Sequence, residues 1–326
     1  MSASIIICTY NRARDLDATL RALQATEVPA DFPVDTLVVD NGSTDETRHV
    51  VEAHRGGRLG VSYTHEPRRG KGHAYNRGLA ESRGEIAIFT DDDVRPARNW
   101  IAAISAPIRE NRAEAVAGTI TIAPHLDRPW MKTFHRTTMA ATTGWDMRNP
   151  GGMNGANMAF TKRVLEKVPG FDPELGPGAL GFWDEALFGN QLLAAGYRIT
   201  GAAEAIVEHH FQPSRLKRQA FLEHAAKAGR SVAYLAWHWG HSPRDPFVRF
   251  RALRKRIKLA LLRTLHPRDC TIEEGCAEWE FNAARTLAYF EQFAREQERP
   301  RAYAKHGLRK LAPAAPRSTT LQPATP

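Results

Sequence analysis

Through the first third of the chain, short apolar runs alternate with longer stretches of helical periodicity. The runs at 4–9, 34–40, 60–64 and 85–90 have the length and content of strands, and helices are predicted between them at 12–25, 44–54 and 71–82. This β-α-β-α alternation predicts a parallel, doubly wound α/β sheet with helices on both faces and its binding crevice at the strands' C-terminal ends. Polar residues gather at those ends. Strand one runs into Thr9-Tyr10-Asn11-Arg12, strand two into Asp40-Asn41-Gly42-Ser43-Thr44-Asp45-Glu46, and strand four into Asp91-Asp92-Asp93. Ser43 and Glu46 have the spacing of a reciprocal helix cap. Asp40 lies ahead of that cap, placed to accept hydrogen bonds from a base or ribose.

Further along the pattern changes twice. Gly151-Gly152-Met153-Asn154-Gly155-Ala156-Asn157 is rich in small residues, as in a loop that lets backbone approach a ligand, and Trp183-Asp184-Glu185 opens a helical pattern through Leu187, Leu192 and Leu193. A short strand pattern, Ala205-Ile206-Val207-Glu208, then leads to His209 and His210. Beyond 211 long helical patterns follow at 216–239, 247–265 and 271–297. Asp245-Pro246 suits the start of the second of these. Its apolar stripe is Phe250, Leu253, Ile257, Leu261 and Leu265, with Arg251, Arg254, Lys255 and Lys258 on other faces and no acid from Phe247 to Leu265. Such a helix suits an anionic lipid surface, or packing on the rest of the protein with a solvated basic face. The Pro, Ala, Ser and Thr content of 312–326 predicts a disordered tail.

Composition narrows the partners more than the fold. With 326 residues, 42% of them hydrophobic, the chain can bury one large core or two modest ones. A formal charge of +9 and a pI near 9.7 favour anionic partners. Nucleic acid is not the expected one, because the basic residues are spread along the chain without a nucleic-acid motif. Cys8, Cys270 and Cys276 form no CxxC pair and fit a reducing compartment. No apolar run approaches the roughly 20 residues of a membrane span, and 4–8 is too short for a signal-peptide core. The expected location is cytoplasmic, either free or peripheral on the inner face of the membrane.

The triplet Asp91-Asp92-Asp93 is the centre of the candidate chemistry. Adjacent carboxylates repel one another unless a cation sits among them, and hard oxygen ligands suit Mg²⁺ or Mn²⁺ shared with water and substrate phosphate. The alternative is a solvated turn capping the next helix. Gly70-Lys71-Gly72, ahead of a predicted helix, either brings backbone amides and Lys71 to a diphosphate or is an ordinary basic loop. A dinucleotide-binding turn is excluded, because bulky Tyr10-Asn11-Arg12 stands where its glycines are needed.

In order and spacing, Thr9-Tyr10-Asn11-Arg12, Asp40-Asn41-Gly42-Ser43, Gly70-Lys71-Gly72 with Asn76, Asp91-Asp92-Asp93, Gly155-Ala156-Asn157, Gly170-Phe171-Asp172, Trp183-Asp184-Glu185, Ala195-Gly196-Tyr197 and His209 resemble the family 2 glycosyltransferases of the GT-A fold. The resemblance covers about the first 210 residues. It implies a GT-A catalytic domain over 1–211, with a nucleotide-binding half (1–117) and an acceptor-binding half (118–211), followed by a helical extension (212–311). It further implies inverting transfer of a sugar from a nucleotide-diphosphate sugar, by family frequency a uridine one, to a glycan, lipid-linked or small-molecule acceptor hydroxyl. Thr9 and Asp40 then correspond to nucleoside contacts, with Tyr10, Asn11 and Arg12 at the same mouth and Lys71 and Asn76 on the donor side. Asp91 faces the ribose, Asp93 and His209 face a divalent metal (Mn²⁺ or Mg²⁺), and Asp92 assists either. The family pair is Glu-Asp with Asp as general base; here the order is reversed, so Glu185 is the first choice for base and Asp184 the second. Two competing functions are a nucleotidyltransferase and a non-catalytic nucleotide-sugar-binding protein that associates with membrane.

Overall fold

Three fully buried isoleucines, Ile5, Ile6 and Ile7, place β1 (Ala3–Thr9) inside the sheet with side chains covered on both faces. The computed structural model describes residues 1–142 and 144–311. After β1 come α1 (Ala13–Gln24), β2 (Val34–Asp40), α2 (Thr47–Ala53), β3 (Val61–His65), α3 (Lys71–Glu81) and β4 (Ile86–Asp91). The second half continues with β5 (Val94–Pro96), α4 (Trp100–Arg109), β6 (Ala115–Ile122), α5 (Thr133–Thr138), β7 (Asn157–Thr161), α6 (Asp184–Ala194) and β8 (Ile199–His209). Four helices close the chain: α7 (Arg218–His238), α8 (Val248–Leu265), α9 (Pro267–Cys270) and α10 (Glu278–Glu296).

Among the described residues one eight-stranded sheet runs in the order β3-β2-β1-β4-β7-β6-β8-β5. The first four strands are parallel, as the alternation predicts, and β7 turns the sheet mixed by pairing antiparallel with both β4 and β6. One apolar cluster packs α1 and α4 on one face, through Leu16, Leu20, Trp100 and Ile104. Another packs α3 and α6 on the opposite face, through Tyr75, Leu79, Phe188 and Leu192.

Between β6 and β8 the register slips at Gly118/Thr119, and the side chain of Asn157 fills the gap. Its amide donates to Thr119 O (2.9 Å) and Ala205 O (2.8 Å), while Trp100 Nε1 donates to its Oδ1 over 2.9 Å. Gly118 is required there, since a Cβ at that position would collide with the Asn157 side chain. This small-residue motif therefore has a structural element at its core: the bulge that lets β8 continue to His209.

Two local expectations are corrected. Ser43 and Glu46 do not form a cap, and α2 begins at Thr47. Ser43 Oγ instead accepts from Asn11 N over 2.9 Å, and Asn11 Oδ1 accepts from Thr44 N over 2.8 Å, so the second strand's loop is tied to the first strand's loop. The last helix begins at Glu278 rather than near 271, because Gly275 takes a left-handed φ of +79° and the Cys276 carbonyl accepts from His135 Nε2 over 3.0 Å. The tail expected at 312–326 lies outside the described residues.

The C-terminal helices pack onto the part of the chain that carries the sheet. Leu126, Met131, Phe211, Leu216, Phe221 and Phe281 share one apolar cluster across the 211/212 boundary. Asp172 is a polar tie across it: Oδ2 accepts from Tyr234 OH (2.6 Å) and Tyr303 OH (2.8 Å), and Oδ1 meets Lys310 Nζ at 2.6 Å.

Candidate active site

Sheet geometry brings distant polar residues to one edge. Parallel pairing sets Cys8 opposite Asp91, so Thr9 and the acid triplet leave neighbouring strands together. Asp92 and Asp93 form the turn into β5, with α4 starting only at Trp100, so they cap no helix. Antiparallel pairing of β5 with β8 then sets Val94 opposite His209. Residues 83 and more positions apart thus come into contact: Thr9 Oγ1 donates to Asp92 Oδ2 over 2.7 Å.

The three acids have different partners. Lys71 Nζ donates to Asp91 Oδ1 over 2.7 Å. Arg12 Nη1 bridges the other two, at 3.1 Å from Asp92 Oδ1 and 2.6 Å from Asp93 Oδ2. Burial, only partly offset by Arg12, pushes the Asp92 carboxyl up to about 7. Burial also acts against the charge of Asp93, but His209, Arg12 and Arg215 outweigh it and hold that carboxyl below its ordinary range. Burial disfavours the Lys71 charge as well, yet Asp91, with further help from Tyr75, Asp184 and Glu185, lifts its pKa above the usual lysine value.

His209 is buried and its Nδ1 lies 2.8 Å from Met139 O, which can only accept, so the ring hydrogen is on Nδ1. In the neutral ring Nε2 then carries a lone pair. That atom lies 3.3 Å from Asp93 Oδ1, a buried oxygen with no hydrogen-bond donor. A proton or a metal ion between the two removes the conflict.

These residues open onto a cavity of about 1320 Å³. Thr9, Tyr10, Arg12, Lys71 and the acid triplet line one side, with His209 at its base. Asp184 and Glu185 line another part, at the first turn of α6. Asp184 is almost wholly buried and its Oδ2 has no partner. Burial, then the charge of Glu185 and a hydrogen bond to it, push the Asp184 carboxyl well above its ordinary value. Burial therefore favours the protonated form of Asp184. Trp183, just ahead, takes a left-handed φ of +75°, a strained conformation for an aromatic residue at a cavity wall.

Three predicted residues do not line the cavity. Asp40 is buried, with Oδ1 accepting from Ser43 N and Oδ2 from Tyr63 OH, each over 2.8 Å. Asn76 is paired at both ends of its amide with the backbone of Phe171, also over 2.8 Å. Asn11 joins the two loops described above. Conversely, the cavity contains residues that no motif announced. Arg215, on the turn after β8, sits over the Phe211 ring and has no carboxylate partner among the described residues. His224 and Lys227 of α7 and Phe281 and Arg285 of α10 form the far wall. Burial, then the charges of Arg215 and Lys227, push His224 down to about 3, so its ring is neutral. Helical periodicity predicted these helices but carried no sign that they face a ligand.

The family model described as Glycosyl transferase family 2 matches residues 4–169, half of the chain. The chain belongs to that family. Among relatives of this glycosyltransferase, Glycosyltransferase AglE of Haloferax volcanii is 26% identical over 225 residues, 66% of this chain and 70% of that one. Succinoglycan biosynthesis protein ExoM of Rhizobium meliloti is 32% identical over 136 residues, 40% of this chain and 43% of that one. In three dimensions the glycosyltransferase is similar to the mannosyltransferase PcManGT of Pyrobaculum calidifontis, solved with GDP-Man and Mn²⁺, at a TM-score of 0.58 and 20% identity, covering 91% of this chain and 86% of that one. GalNAc-T7, solved with UDP, GalNAc and Mn²⁺, superposes with a TM-score of 0.53 at 15% identity, over 73% of this chain and 48% of that one. These likenesses establish the GT-A fold. Family membership sets aside the nucleotidyltransferase and the non-catalytic binding protein.

Proposed function

We propose that this glycosyltransferase is an inverting, metal-assisted enzyme that moves a sugar from a nucleotide-diphosphate sugar, with uridine as the favoured nucleoside, to an acceptor hydroxyl. The observation that carries the proposal is the approach of Asp93 Oδ1, buried and unpartnered, to His209 Nε2 over 3.3 Å, in a cavity that Arg12 and Arg215 also line. A carboxylate oxygen and an imidazole nitrogen fit a divalent cation, and Asp93 and His209 are the residues that would hold it, Asp91 being paired with Lys71. When bound, such a cation offsets the charge gathering on the departing diphosphate. Among the described residues no cluster of three or more metal-ligating side chains converges.

The remaining steps fall to the chain itself. Thr9 and Tyr10 border the nucleoside end of the cavity, while Lys71, Arg12 and Arg215 supply positive charge for the diphosphate. Glu185 takes the acceptor hydroxyl proton as that oxygen bonds to the anomeric carbon; the bond from that carbon to the diphosphate oxygen breaks, and the nucleoside diphosphate leaves with the electron pair. One displacement inverts the centre. Asp184, whose carboxyl burial pushes toward its protonated form, stands next to Glu185 as a potential hydrogen-bond donor to the base. Asp40, Asn11 and Asn76 act at one remove, holding the loops that carry the contacts. The wall formed by α7 and α10 bounds the acceptor, a glycan, a lipid-linked or a small-molecule hydroxyl compound. The free thiols Cys8, Cys270 and Cys276 support a reducing, cytoplasmic setting.

The test is incubation of the protein with uridine- and guanosine-diphosphate sugars, with Mn²⁺ or Mg²⁺ and with chelator. Release of nucleoside diphosphate that requires the cation is expected. A protein that binds no nucleotide sugar in a thermal-shift screen, and releases none of the diphosphate, would overturn the reading.

A further inference from the structure

Helix α8 has two apolar faces, and only one of them is covered. Val248, Ala252 and Leu259 are buried on the side packed toward α10. On the opposite side Phe247, Phe250, Leu253, Ile257, Leu261 and Leu265 are each between 52% and 66% exposed. At 100° per residue these side chains fall within one continuous face, so they form a patch rather than scattered positions. This is the stripe that a helix merely packed on the catalytic domain would have hidden.

The cations of α8 sort the same way. Arg249, Arg256 and Arg263 meet Glu298, Glu291 and Glu280, at 2.5, 2.6 and 2.7 Å, and Arg251 meets Asp245 at 3.2 Å. Arg254, Lys255 and Lys258 have no carboxylate partner among the described residues. Helical spacing puts Arg254 and Lys258 beside the exposed apolar face, and no acid occurs on the helix to neutralise them. An apolar strip edged by unpaired cations matches the acyl and headgroup layers of an anionic bilayer. A second copy of the chain fits poorly, since pairing two such faces would oppose cation to cation. Among the described residues no helix is long and apolar enough to cross a membrane, so the contact is with its surface.

We infer that the exposed face of α8 seats this protein on an anionic lipid surface, with Phe250, Ile257 and Leu261 entering the interface and Arg254 and Lys258 reaching the phosphates. The inference does not depend on the transfer chemistry, because α8 contributes nothing to the cavity lining.

The experiment is co-sedimentation of the full chain with vesicles of phosphatidylglycerol and phosphatidylcholine, and with phosphatidylcholine alone, beside size-exclusion measurements across protein concentration. Binding to the anionic vesicles only, weakened by salt, is expected. Ile257→Glu with Leu261→Glu, and separately Arg254→Glu with Lys258→Glu, should each reduce partitioning on the order of ten-fold or more, with thermal melts unchanged because all four side chains lie on the exposed side. Three results would overturn the inference: no binding to either vesicle, equal binding to both, or a concentration-dependent dimer that the same substitutions abolish.

Discussion

His209 Nε2 stands 3.3 Å from Asp93 Oδ1, and the hydrogen of its ring is committed to Met139 on the other side. The pair is where the proposed metal ion would bind. Asp93→Ala should lower metal-dependent transfer by about 10²–10³-fold, with His209→Ala close behind. Asp92→Ala should cost less, because both Asp92 oxygens are already held by Thr9 and Arg12. Turnover against Mn²⁺ concentration for the three variants checks the order, and equal losses would show that the acids do not divide their roles.

Glu185→Gln should lower turnover by about 10²–10⁴-fold with nucleotide-sugar affinity retained. Asp184→Asn should be milder, because its amide keeps a hydrogen-bond donor toward Glu185. Single-turnover rates with separately measured donor binding distinguish the two.

Asp184 also predicts how stability follows pH. Its carboxyl is raised in the folded protein, so its contribution is complete below the ordinary value of 3.8 and is lost as pH climbs through the raised one. Thermal melts between about pH 4 and pH 9 should show the wild type losing stability toward alkaline pH more steeply than Asp184→Asn, which is neutral throughout. Parallel curves would place the proton elsewhere.

Arg215→Ala should weaken nucleoside diphosphate binding by about ten- to a hundred-fold, the scale of one charge-assisted hydrogen bond, and leave the melting temperature nearly unchanged. Calorimetric titration with the nucleoside diphosphate measures it.

The sheet edge was legible because apolar runs ending in polar clusters report strand ends directly: Thr9, Arg12 and the acid triplet were expected together and are together. The contact between Asp93 and His209 depends on β5, three residues long and invisible to periodicity, pairing with a strand more than a hundred positions away. Asp40 and Asn76 show the opposite limit. Their types and positions suit ligand contacts, yet Tyr63 and the Phe171 backbone reach them first, and only tertiary approach reveals that. The C-terminal helices were legible as helices, whereas their faces were not. Periodicity identifies an apolar stripe without saying what covers it, and on α8 the covered residues are Val248, Ala252 and Leu259, not the longer stripe.

Asp172 provides a stability test of the join between the two regions. Tyr234→Phe should cost about 1 kcal/mol by removing one hydrogen bond, and Asp172→Ala about 1–3 kcal/mol by leaving the buried Tyr234 and Tyr303 hydroxyls without their shared acceptor. A chain ending at 211 should aggregate, because Leu126, Met131 and Phe211 lose their cover. Urea unfolding and light scattering would report these effects, and a soluble, cooperatively folding 1–211 fragment would show the extension to be dispensable.

Arg12 gives the acid cluster a resident counter-ion. With its guanidinium across Asp92 and Asp93, this edge of the sheet can fold and persist without waiting for a metal, unlike small domains whose structure is assembled by one. On the proposed metal-assisted mechanism, chelation should therefore silence the enzyme while leaving it folded.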